Sequence, residues 1–288
     1  MPNATLESGA DPKYALLFGS VVALGLPSNA ASLWILVRRH SLQSPCVIFM
    51  VNLAISDLML VATLCTRVYF YATGVWSLGN MACVWITMLF RNNIRSSSIF
   101  ITFISVDRLL AVVYPLRFRH LRTASNACRA AALVWLFVVA VNVEEGLEFS
   151  AFLNKLNESA CFDFRQRPPK MSAITYFQPV LVLTMLAVNV VSTALVSLTL
   201  RTRPRNQARI KNKVNVMLIF AMNLAMFAVF FLPVSMEVFF GDDSWIKFHK
   251  SLVCLASVNC CLDPLLYYFS FDGFWKRKEE MDTCTTRE

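Results

Sequence analysis

The chain has 288 residues, of which 57% are hydrophobic and only 16% charged, with a formal net charge of +9. Together with a positive mean hydropathy, this excludes an ordinary soluble domain and reads as a membrane protein.

A helix of about 20 apolar residues crosses the hydrocarbon of a bilayer, and seven such runs occur. They are expected at 15–38, 45–71, 80–113, 125–149, 172–200, 212–240 and 246–270. The fold class is therefore all-α, a seven-transmembrane helix bundle in one domain over residues 1–288. Asp11 and Lys13 precede the first run and no small-residue cleavage site closes it, so it reads as a span and not a cleaved signal. The second run holds Asp57 in its middle and Arg67 near its end. The third starts near Cys83, passes Arg91 and Arg95, and ends on Asp107 and Arg108. The fourth carries Trp135 and ends at Glu144, Glu145 and Glu148. Pro179 lies in the fifth, Pro233 and Glu237 in the sixth, and Asn259, Asp263 and Pro264 in the seventh. Beyond it, FDGFWKRKEEM sets Phe271, Phe274 and Trp275 against Lys276, Arg277 and Lys278, the composition of a helix lying on a membrane surface. No internal repeat or low-complexity segment interrupts this order.

Orientation follows from the loops. With residues 1–14 outside, sixteen Lys and Arg fall in inner segments against seven in outer ones, and residues 271–288 become a cytoplasmic helix and tail. The glycosylation sequons at Asn3 and Asn157 both then lie outside. The positive charge is accounted for by the basic inner face, whose first partner is anionic membrane lipid, and no nucleic acid is needed.

Most of the nine cysteines lie in apolar runs, where a thiol is a small hydrophobe. Cys83 and Cys161 both face the oxidising side, so a disulfide between them is expected. Cys284 is a palmitoylation candidate, with an unmodified tail thiol as the alternative.

The paired charges Asp107 and Arg108 lie 25 residues after Cys83, about 37 Å along a helix, and so at the inner membrane face. A salt bridge that fixes helix depth and a latch that frees Arg108 for a cytosolic partner are both open on charge alone.

The motifs GLPSN, NLAISDL, SVDRLLAVVYP, Trp135 and NCCLDPLLYYF, each in its own run and in this order, resemble the rhodopsin-like G-protein-coupled receptors over essentially the whole chain. That resemblance implies a plasma-membrane receptor whose Arg108 leaves Asp107 to meet a heterotrimeric G protein. Leu109 stands where the family has Tyr. It further implies switch roles for Pro233, Asp263, Pro264 and Tyr267. It also brings Asp57, Asn93, Ser97, Asn259 and Asp263 together around a structural sodium ion, with a protonated polar core as the alternative; no other cofactor is implied.

The longer strings RVYFYATGVWSLGNMAC and LASVNCCLDPLLYYFS look like the branch holding lysophosphatidic-acid receptors, nucleotide-type purinergic receptors and several orphans. The resemblance implies a small anionic ligand, a lysophospholipid first, with Arg67 at its head group. Arg91 and Arg95, four apart on one helical face, either join Arg67 in the pocket or pair with Glu144 or Glu145. Helix five lacks the family's mid-helix proline, and the short GDDSWIK connection carries no cysteine. A nucleotide, peptide or silent receptor of the same fold remains open. A transporter is disfavoured by the lack of paired repeats, and an enzyme by the lack of HExxH, GxSxG or a His cluster.

Overall fold

The computed structural model describes residues 10–40, 42–156, 161–162, 173–202, 207–240 and 242–267. Asn3, Asn157, Cys284 and the expected surface helix after residue 270 lie outside them. All regular structure among the described residues is helical: α1 Pro12–Arg39, α2 Pro45–Thr73, α3 Gly79–Val113, α4 Ala124–Leu156, α5 Phe177–Thr202, α6 over residues 207–239 and α7 over residues 242–267. α1 packs on α2, α2 on α3, and α3 on both α4 and α5, which makes α3 the axis of the bundle.

The helix limits have local causes. Pro12 and Pro45 occupy the first turns of α1 and α2, where no N–H is needed. Gly74 ends α2 with φ 70° and returns its N–H to the carbonyl of Phe70 at 2.7 Å. α4 runs to Leu156, seven residues past the expected end, because the Glu cluster that broke the apolar pattern lies within the helix. α5 becomes regular α-helix at Phe177, after a tight turn over Ala173–Tyr176, instead of at 172.

Among the described residues, six helices are long and apolar enough to cross a membrane. α7 is the exception by continuity: its first stretch, Asp242–Ser257, ends where Val258 bonds back to Leu255 at 3.1 Å, and the helix resumes at 259.

Burial is distributed as it is in lipid. Large apolar side chains such as Leu16, Leu24, Leu133, Leu136, Val191 and Leu198 point outward, while Asp57, Asn93, Arg95, Asn189, Asn223, Asn259 and Asp263 are sealed inside. Hydrocarbon chains solvate the outer faces, so polar groups find partners only between helices.

Two prolines shape the bundle. Pro264 removes the donor that the carbonyl of Cys260 would otherwise receive, and Asn29 Nδ2 takes that place across the α1–α7 contact at 2.7 Å. The close approach depends on Gly25, whose missing Cβ would stand 3.0 Å from Cys260 Sγ. In α6 the turn before Pro233 is widened: over Met226–Phe231 the bonding is π-helical, and the Leu232 N–H reaches the Phe227 carbonyl. The extra residue makes room for a ring that would clash with the preceding turn.

Candidate functional site

The polar groups form five clusters along the bundle. At its centre, Asn93 on α3 donates its Nδ2 to Ser56 Oγ at 3.1 Å, Asp57 Oδ1 at 3.0 Å and Ser97 Oγ at 3.1 Å. Ser56 and Ser96 share a hydrogen bond of 2.6 Å. The carboxyl groups of Asp57 and Asp263 face each other. Asp57 Oδ2, both Asp263 oxygens, the Asn259 amide and the Tyr267 hydroxyl have no hydrogen-bond partner. Asp57, Asn93, Ser97 and Asp263 are thus brought together, with Tyr267 beside the two carboxyl groups, and Asn259 is buried one turn before Asp263 on α7. Two facing carboxylates without a donor between them require a shared proton or a cation.

At the outer end, Cys83 and Cys161 are bridged, with Cα atoms 5.7 Å apart. The bridge carries Phe162, held at φ 68°, onto the bundle. Its ring covers the Arg67 guanidinium at 4.2 Å, and Phe90 lies on the same group at 5.1 Å. Arg67 is 4% exposed and its Nε is unpartnered among the described residues; the Tyr71 side chain is placed to bond it. The Tyr71 hydroxyl also donates to the Phe162 carbonyl at 3.4 Å, and Lys250 Nζ lies 5.7 Å from the Tyr71 ring. Arg67 therefore sits in an aromatic box beside a second cation.

Arg91 and Arg95 do something else. Both bind Glu145 on α4, Arg91 at 3.1 Å and Arg95 at 2.5 Å. Arg95 also donates to Asn142 Oδ1 at 2.5 Å, and Asn142 donates to Asn92 at 3.1 Å. Of the acidic residues considered in the sequence, Glu145 is the partner; Glu144 points outward. Glu237 meets His249 at 2.9 Å. One carboxylate for two guanidiniums leaves a net positive charge, carried outward by Arg91, whose side chain is 37% exposed.

At the inner end the expected Asp107–Arg108 salt bridge is absent. Asp107 is gripped by Arg122 from the loop before α4, with Nε at 2.8 Å from Oδ1 and Nη2 at 3.2 Å from Oδ2. Arg108 turns to α2 and donates from Nη2 to Cys46 Sγ at 3.0 Å. Asp107 and Arg108 thus take different neighbours, Arg122 for the one and Cys46 for the other.

Sequence reasoning missed one cluster. Asn223 on α6 donates to Ser105 Oγ at 2.5 Å, Ser105 donates to Asn189 Oδ1 at 2.5 Å, and Asn189 donates to Thr102 Oγ1 at 2.8 Å. This chain ties α3, α5 and α6 together. The signal was available: two lone asparagines in otherwise apolar runs, each costly in lipid unless paired.

Residues 28–267 match the family described as 7 transmembrane receptor (rhodopsin family). The chain is similar to lysophosphatidic acid receptor 4 of Mus musculus, 34% identical over 278 residues that cover 90% of this chain and 75% of the relative. Human lysophosphatidic acid receptor 6 is 32% identical, with 90% and 80% covered. The human S-geranylgeranyl-glutathione receptor is 30% identical, with 98% and 84% covered.

Proposed function

Because this chain belongs to the rhodopsin family of seven-transmembrane receptors, we propose that it binds a small anionic lipid of lysophospholipid type at its outer end and passes that event to a heterotrimeric G protein at its inner end. Its place is then the plasma membrane, crossed seven times, with the N-terminus outside; the basic inner segments support that direction.

The observation that carries the ligand class is Arg67. A buried guanidinium without a carboxylate partner among the described residues is a receiver for an anion, and its fork matches two oxygens of a phosphate. Lys250 Nζ lies one aromatic ring away, 5.7 Å from the Tyr71 ring centroid, so the region around Arg67 is positive. The relatives named for lysophosphatidic acid support the same class. Arg91 and Arg95 are assigned a different part. Glu145 and Asn142 already bind Arg95, so this triad fixes α3 to α4, and Arg91 contributes long-range attraction toward the pocket.

Within the bundle, α6 is the element built to move. Its π turn and Pro233 weaken the helix ladder at one level, and below that level Asn223 holds it to α3. The central oxygens of Asp57, Asp263, Ser97 and Asn259 fit a hard monovalent cation such as sodium, because several of them are buried without donors. Asn93 turns its amide nitrogen to this centre, so it would orient Asp57 and Ser97 instead of ligating. When bound, the ion would neutralise the facing carboxylates and hold α2 and α7 together.

The direct test is to apply a panel of lysophosphatidic acids, other lysophospholipids and nucleotides to cells expressing the chain, with nucleotide exchange on each class of G protein as readout. Response to lysophosphatidic acid alone is expected. Response to nucleotides but not lipids would replace the ligand class and leave the receptor standing.

A further inference from the structure

The inner end holds an exchange of partners that follows from geometry. Asp107 takes both forks of the Arg122 guanidinium, at 2.8 and 3.2 Å, the bidentate arrangement that most strongly occupies a carboxylate. Arg122 is not a loosely placed surface cation. The turn preceding it is tied by Leu121 N–H to the Phe118 carbonyl at 3.1 Å and by its own N–H to the same carbonyl at 3.3 Å. On its other side, the Thr123 hydroxyl and the Leu121 carbonyl receive Asn126 at 3.3 and 3.2 Å, where α4 starts. The guanidinium is thus delivered to Asp107 by a fixed loop. Meanwhile Arg108 rests on Cys46, and its Nε has no partner.

We propose that Arg122 is a positioning residue for G-protein coupling: by occupying Asp107 it keeps that carboxylate from capturing Arg108, so that Arg108 is held only by a thiol and is free to meet the G protein. This rests on the reading that Arg108 is the coupling residue. A thiol is a weak acceptor, whereas a carboxylate pairs with a guanidinium in a charge-assisted bond. The chain therefore has a low barrier to release of Arg108 and signals in the absence of ligand. When Arg122 loses its charge, Asp107 is left buried with two empty oxygens, and the adjacent Arg108 is the cation able to turn to it.

The experiment compares the full chain with R122Q, R122K, D107N and D107N/R122Q in membranes supplied with purified heterotrimers of each G-protein class, reading ligand-free GTPγS binding. R122Q is expected to lower basal exchange at least threefold, R122K to give an intermediate value, and D107N to abolish the effect of R122Q. Unchanged or raised exchange in R122Q, or a loss that persists with D107N, overturns the proposal. A readout independent of coupling accompanies it: the Tm shifts of D107N and R108Q in solubilised receptor. They are expected to add in the parent chain and to depart from additivity by about 2 °C or more in the R122Q background, where the Asp107–Arg108 pair forms. Additivity in both backgrounds overturns the exchange of partners. If the parent chain drives no exchange on any heterotrimer, the coupling reading fails, and the Tm comparison still decides whether Arg122 holds the two neighbours apart.

Discussion

Asn29 of α1 fills the gap that Pro264 opens in α7: its Nδ2 lies 2.7 Å from the Cys260 carbonyl, the acceptor four residues before the proline. A kink in one helix is thereby satisfied by a side chain from another, and the same amide bonds Gly25 in its own helix at 3.0 Å. Asn29→Ala leaves a buried carbonyl unpaired, at a cost of about 1–3 kcal/mol. Thermal unfolding of the solubilised protein checks this, and Asn29→Asp is expected to be no better than Ala because an ionised carboxylate cannot donate.

The triad of Arg91, Arg95 and Glu145 makes an asymmetric prediction. Glu145→Gln removes the carboxylate from two arginines at once and leaves Arg95, fully enclosed, as an uncompensated charge. Breaking a buried pair from one side costs about 3–5 kcal/mol, so folded yield should fall sharply. Adding Arg95→Met should restore much of it, whereas Glu144→Gln alone should change nothing. Surface levels of the three variants read the result.

For Arg67 the measured quantity is potency. Arg67→Ala is expected to weaken a phosphate-bearing agonist by about 2–5 kcal/mol of binding, the range for truncating one side of a buried charged contact. Lys is expected to recover only part, since it cannot offer a planar fork. Arg91→Ala, by contrast, should shift potency modestly and mainly at low salt, as a partly exposed charge acting at a distance does.

Asp57→Asn tests the central oxygen cluster. It removes one of two facing carboxylates, and any dependence of agonist affinity on sodium concentration should vanish with it. By linkage, an ion that prefers the resting state lowers agonist affinity by the factor with which agonist expels it. Agonist titrations in sodium and in an impermeant organic cation supply the comparison. An unaltered parent receptor in both media would leave a shared proton as the way the two carboxylates coexist.

The asparagine chain across α3, α5 and α6 predicts a change in basal signalling. Asn223→Leu removes the donor to Ser105 while keeping similar bulk. Interhelical hydrogen bonds in membranes are worth about 1 kcal/mol, enough to shift a two-state balance several-fold. Ligand-free exchange should rise, and Asn189→Leu, which cuts the same chain from α5, should act in the same direction.

Much of this protein was legible without coordinates, and for one reason: the properties concerned are local along the chain. Span positions depend on the hydropathy of some 20 consecutive residues, and all seven helices begin within about five residues of their expected places. The first, the second and the third also end within two. The disulfide followed from two cysteines on one side of a membrane, whereas the central polar cluster was legible only through the resemblance to the receptor family.

The choice of partners was decided only by tertiary structure. Glu145 and Glu144 are neighbours in sequence, but their side chains leave the helix about 100° apart, so one seals Arg95 while the other faces outward. Asp107 and Arg108 are likewise adjacent, and in the packed bundle one meets Arg122 and the other Cys46. The rotation of each helix about its axis is set by packing along its whole length, and no short stretch of sequence encodes it. The sequence by itself determined which charges enter the membrane and at what depth; the packed bundle determined which of them meet.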